Sequence, residues 1–184
     1  MTSKIALCLF AFAGAFLVVA MLPANPSAAE EAGQAPSGAP REGTVPATVA
    51  EARGRARLLH ETLHGTLQVV HRDFFRAGET AIPSKSLKDV FLELARSHQV
   101  EVRWLAVNAK AMDVDHEPRT EFERAAVAAL TSGQAEFEAI EPGTYRYAGS
   151  IRLASQCLKC HLPNCTSTAD RQAALVITMP LSKP

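Results

Sequence analysis

Cys157, Cys160 and His161 stand in the spacing C-x-x-C-H, within Cys157-Leu158-Lys159-Cys160-His161. Two thiols three residues apart can form thioethers to the two vinyl groups on one edge of a porphyrin. The adjacent imidazole then sits under the iron as its proximal ligand. This is the attachment sequence of a c-type haem. A thioredoxin-like dithiol would use the same cysteine pair, but it opens a helix inside a βαβ unit, and the residue pattern shows no such unit. A structural zinc site needs four ligands, normally from two such pairs; only Cys165 stands nearby as a third thiol.

The other face of the iron calls for a second ligand, and the candidates are few. His60, His64 and His71 share one stripe of a long helical pattern; at 100° per residue His64 and His71 fall about 20° apart in projection. Met112, in a loop-like segment, offers a thioether. His116 in Asp115-His116-Glu117-Pro118 reads as a solvent-exposed residue at a helix entry, His98 as a helix end and Met179 as strand core. An imidazole favours ferric iron more than a thioether does, so a His/His site has the lower potential. A vacant sixth position would instead suit an open-site haem enzyme of peroxidase-like type. Arg146 and Arg152 are candidate partners for haem propionates, with exposed strand cations as the plain alternative. Tyr145, Tyr147 and Trp104 read as core aromatics, and Glu121 and Glu123 as a solvated helix face.

The elements that must position these groups are of two kinds. Thr48 to Phe75 reads as one long helix, with Leu59, Leu63, Leu67, Val70 and Phe74 at three- and four-residue spacing. A second helix is expected from Ser86 to His98, Ser86 and Asp89 making a capping-box-like start. Its buried face comprises Leu87, Val90, Phe91 and Leu94. A third runs from Pro118 to Ser132 with Gly133 just beyond. Strands are expected at Val100–Val107, Glu136–Ile140, Thr144–Tyr147, Ser150–Leu153 and Ala173–Met179, Pro142-Gly143 marking a hairpin turn. Segregated rather than alternating helices and strands predict an α+β domain with an antiparallel sheet.

Compartment and composition agree with the motif. A positive start at Lys4, the apolar run Ile5 to Leu22 and the small residues Ser27-Ala28-Ala29 read as a signal peptide over residues 1–29. The run is at the lower limit for a membrane span, so an uncleaved anchor is the alternative. Residues 30–47, rich in Pro, Gly and Ala, read as a flexible linker, and residues 48–184 as one domain. Export and c-type haem attachment go together, which places the mature protein in the periplasm. The chain carries 19 basic and 19 acidic residues, so no basic field for nucleic acid or an anionic membrane exists. Cys165 is left as an odd thiol in an exported protein.

The long N-terminal helix, Tyr145-Arg146-Tyr147, Ile151, the C-x-x-C-H motif and the closing Ala174-Leu175-Val176-Ile177-Thr178-Met179-Pro180 together resemble a family of exported single-haem c-type proteins. That family has a PAS-like fold and was long catalogued as a domain of unknown function. The resemblance covers roughly residues 50–182. It implies an antiparallel sheet with flanking helices, one covalently bound haem iron, and a role in redox sensing or electron transfer with a separate redox or signalling partner. In that family the long helix carries a Cys after a Val as the second axial ligand. Here the corresponding pair is Val70-His71, and no Cys occurs between Cys8 and Cys157. The resemblance therefore implies His71 as the distal ligand, with His64 and Met112 as alternatives.

Overall fold

Residues 45–74, 82–109, 111, 113–161 and 170–182 are described by the computed structural model of the chain. The expected leader, most of the expected linker, Met112 and Cys165 lie outside the described residues, as does the side chain of Cys160. Packing is under way by Pro46, which is buried and whose carbonyl accepts from the Ser182 amide at 3.0 Å.

The first helix, α1, spans Val49–Asp73. Thr48 caps it, the side chain accepting from the Glu51 amide at 3.1 Å, which satisfies one of the first-turn donors. Its inward line is Ala52, Ala56, His60 and Leu63, with Leu59 and Leu67 partly buried. Phe74, expected on this stripe, is exposed. The two fully buried alanines let the helix settle close to the sheet, and they set a rotation that the leucine count alone did not predict.

The second helix, α2, spans Pro83–His98 and starts three residues earlier than expected. Pro83 occupies the first turn, where its missing N–H is no loss, and no side chain caps the helix. The Ser86–Asp89 capping box does not form; the Ser86 hydroxyl donates back to the Ile82 carbonyl at 3.4 Å. Leu87 and Phe91 are buried as expected, whereas Val90 is exposed. The third helix, α3, is shorter than expected, Glu121–Thr131. Thr120 and Glu123 form a true capping box there, and Pro118 precedes the helix. Glu123, expected in solvent, is buried: its carboxylate accepts from the Arg119 and Thr120 amides at 2.6 and 3.0 Å and pairs with Arg103. Those three donors hold it charged, below the usual carboxylate range, against the opposing effect of burial.

Among the described residues four strands complete the domain: β1 Glu101–Ala106, β2 Glu136–Glu141, β3 Thr144–Arg152 and β4 Gln172–Pro180. The two runs expected at 144–147 and 150–153 are one strand. The sheet is antiparallel throughout, in the order β1-β4-β3-β2. Side chains alternate between its faces. Val102, Trp104, Tyr145, Tyr147, Ile151, Leu175, Ile177 and Met179 meet α1 and α2, while Leu105, Ala148, Ala174 and Val176 meet Phe122, Ala126 and Leu130 of α3. This is the expected α+β, PAS-like architecture: an antiparallel sheet, flanking helices and a long N-terminal helix. Among the described residues, no helix is long and apolar enough to cross a membrane.

Candidate haem site

The direction of α1 decides where its far end arrives. Arg53 donates to Glu138 at 2.8 Å through Nε and again through Nη2, and the Tyr145 hydroxyl donates to the same carboxylate at 2.6 Å. One helical turn on, Arg57 grips Glu136 in the same two-pronged way, Nε lying 3.0 Å from Oε2, and Tyr147 donates to it at 3.1 Å. Four helical residues rise about 6 Å and two strand residues about 6.7 Å, so consecutive rungs stay in step. Next along the helix, the His60 ring lies on Gly149 of β3. A Cβ built there would stand 2.4 Å from His60 Cδ2. The order Arg53–Tyr145, Arg57–Tyr147, His60–Gly149 means that α1 and β3 run the same way. The last turns of α1 are therefore carried to the end of the sheet where β3 gives out.

At that end the chain forms the short helix α4, Ser155–His161, which holds the whole C-x-x-C-H motif. Cys157 and His161 are four residues apart and so share a face. Both line a cavity of about 480 Å³, and His71 of α1 lines it too, within the roughly 300–1,000 Å³ range of ligand pockets. Trp104 and Ile151 form apolar wall, while Ala106, Ala109, Ala111 and Ala173 leave its volume open because their side chains are short. Trp104 is held by a 2.9 Å hydrogen bond from Nε1 to the Ser84 carbonyl. Burial pushes the His161 imidazole below its ordinary range, which keeps it neutral, the form in which imidazole binds metal. The strands on either side of α4, β3 and β4, are antiparallel neighbours, so the motif does not stand in a parallel βαβ unit.

The remaining candidates divide cleanly. His64 is half-buried, its Nε2 3.1 Å from Gln68 Nε2, and it does not line the cavity, although Gln68 does. His60 is sealed beneath α1. Met112 lies outside the described residues, between Ala111 and Asp113, which both line the cavity. His98 is exposed at the end of α2 and Met179 is buried in the sheet. His116 departs from expectation. Instead of lying in solvent, it lines the cavity from a 3₁₀ turn at Val114–His116, because Asp113 caps that turn and folds it inward. Arg146 and Arg152 do not line the cavity; they pair with Glu141 and Asp170 at 3.2 and 3.0 Å. Among the described residues, Lys85 and Lys88 of α2 are its cations instead. Their i, i+3 spacing was readable, but which way α2 faced was not.

The residues present fit a macrocycle better than a bare ion. Among the described residues, no three His, Cys, Asp or Glu side chains converge as the ligands of one ion would. The imidazoles of His161, His71 and His116 and the thiol of Cys157 stand around an apolar space. His116 Nε2 is buried there without a hydrogen-bond partner among the described residues, the mark of a wall made to meet a polar group of an occupant.

Sheet, helices and cavity together define an α+β ligand-binding domain. The family model described as Tll0287-like matches residues 46–178, and the chain belongs to the Tll0287-like family. None of the curated proteins compared with the chain matches it. The crystal structure of the cyanobacterial heme-protein Tll0287 superposes with a TM-score of 0.55 at 16% identity, over 75% of this chain and 99% of that one. At that identity the likeness is one of fold.

Proposed function

We propose that this chain is a periplasmic single-haem c-type protein acting in redox sensing or electron transfer. The observation that carries the reading is the meeting of His161, Cys157 and His71 on one apolar cavity, His71 and Cys157 being 86 residues apart in sequence. Cys157 and Cys160 would hold the haem through thioethers, His161 and His71 through the iron. Bound haem supplies a one-electron ferric/ferrous couple. The chain's own part is to present both imidazoles to the cavity, His161 being held neutral by burial, and to exclude water with the alanine-lined, Trp104-backed walls, since low polarity and axial ligation are the levers that set a haem potential. The solved structure that the chain resembles in fold is that of a cyanobacterial heme-protein, and the leader expected to end near Ala29 agrees with attachment on the exported side of the membrane.

Expression with c-type maturation machinery tests this. The product should give one pyridine haemochrome per chain, and its ferric spectrum should be low-spin. His71→Ala should lose the low-spin bands while His64→Ala keeps them. A high-spin wild type that shifts on adding peroxide or carbon monoxide would overturn the six-coordinate reading in favour of an open-site enzyme. Absence of a haemochrome would overturn haem altogether.

A further inference from the structure

We infer that Lys85, Lys88 and His116 form a carboxylate-binding end of the cavity that takes the propionates of the haem; this rests on the haem reading above. A porphyrin tethered to Cys157 and Cys160 by its vinyl edge turns its propionate edge away from α4. Two carboxylates buried without partners would be strongly unfavourable, so the cavity must offer donors elsewhere. Its charged lining, among the described residues, is Lys85, Lys88 and Asp113. The lysines are three residues apart and share one face of α2. Asp113 is already engaged: it accepts from Lys88 Nζ at 2.8 Å and from the Asp115 amide at 3.0 Å. These contacts hold its carboxyl down at about 2, so it remains an anion that fixes Lys88 in place. That leaves Lys85 outside its contacts and His116 only in a longer ion pair with it. His116 Nε2 stands 3.8 Å from Asp113 Oδ2, beyond hydrogen-bond reach, and is buried with no hydrogen-bond partner among the described residues.

The cluster therefore has more donors than its one carboxylate, Asp113, can take, and what it lacks is a further acceptor. Lysine ammonium and imidazole N–H groups supply charge-assisted hydrogen bonds to such a group. An ammonium beside a propionate also cancels negative charge near the iron, which favours the ferrous state. Its removal should lower the reduction potential.

The test uses the full chain matured with haem. Lys85→Ala and Lys88→Ala should each shift the ferric/ferrous ratio at a fixed potential toward ferric by about three- to tenfold, or about 30–60 mV for a one-electron couple, and His116→Ala, which removes a donor but no ammonium, should shift it less in the same direction. Lys88→Arg should stay near wild type, and so should Arg152→Ala, whose ion pair lies off the cavity. The inference fails if the three variants match wild type, or if Arg152→Ala shifts as far as they do. A wild type carrying a haemochrome in either case leaves the haem reading standing. A wild type without one overturns that reading and this inference together.

Discussion

Gly149→Ala should unsettle the whole domain, though it adds a single methyl group. Ala is intrinsically better than Gly in a strand by about 0.5–1 kcal/mol, so a neutral site would be stabilised. Here the new Cβ would meet His60 Cδ2, Nε2 and Cγ at 2.4, 2.6 and 2.9 Å. The obstacle is a ring, buried to 4% exposure, and not the free end of a flexible chain. Overpacking of this kind costs about 1–3 kcal/mol, which outweighs the gain and leaves about 1–2 kcal/mol of net destabilisation. For a domain of this length that is roughly 4–8 °C in Tm. Thermal unfolding followed by circular dichroism measures it. His60→Ala removes the obstacle, so the double variant should lose less than the sum of the single ones, with a coupling of about 1 kcal/mol or more. A rise in Tm for Gly149→Ala alone, or strict additivity in the double variant, would refute the seating of α1 on β3.

Two further predictions concern carboxylates. Arg53 and the Tyr145 hydroxyl hold Glu138 down at about 2 from an ordinary value near 4.5. Its folded-state value is thus depressed, so its contribution is complete above about pH 4.5 and fades as pH falls toward 2. Glu138→Gln should be about 1 kcal/mol less stable than wild type at pH 7, a partly exposed pair being worth little more, and urea midpoints should converge as pH falls through about 2; a gap as large there as at pH 7 would count against the pairing. Glu123→Ala removes the acceptor for two amides and for Arg103 at once and should cost about 2–4 kcal/mol, read as a lower urea midpoint with unchanged m; a loss below 0.5 kcal/mol would mean that the capping box carries no load.

Much of the domain was legible because its signals are local. The C-x-x-C-H spacing is read within five residues, and the helices and strands follow from apolar periods of three to four or two. Errors fell where a local rule had two claimants. Ser86 with Asp89 resembles a capping box, yet Pro83 begins the helix first; Pro118 resembles a first-turn proline, yet Thr120 and Glu123 cap more strongly. Glu123 looked solvated because its partner Arg103 lies 20 residues away on another element. His116 looked exposed for the same kind of reason, since only the Asp113-capped turn brings it inward. Lys85 and Lys88 replace Arg146 and Arg152 at the cavity because strand arginines found carboxylates of their own. The α1 leucines suggested the wrong rotation at Phe74, since an alanine carries little weight in a hydrophobic stripe while permitting the closest approach.

That rotation governs the candidate ligand. From Arg53 to His71 is 18 residues, about 27 Å of helix, and a helix packed only through leucines could rotate or slide along the sheet. The two Arg–Glu–Tyr rungs fix its axial position at the N-terminal end, each arginine bound through two nitrogens. His60 on Gly149 fixes its rotation in the middle, since no other residue type would leave room for that ring. With both set, Leu67 and His71 follow at successive four-residue steps on the inward line, and the imidazole reaches the cavity wall. The exported-haem reading thus depends on residues far from the iron. A Glu136→Gln, Glu138→Gln double variant should retain haem at Cys157 and Cys160 yet show a mixed-spin ferric spectrum, because on the proposed function attachment would belong to α4 alone and distal ligation to the register of α1. A fully low-spin spectrum in that variant would show that His71 does not need the rungs to be placed.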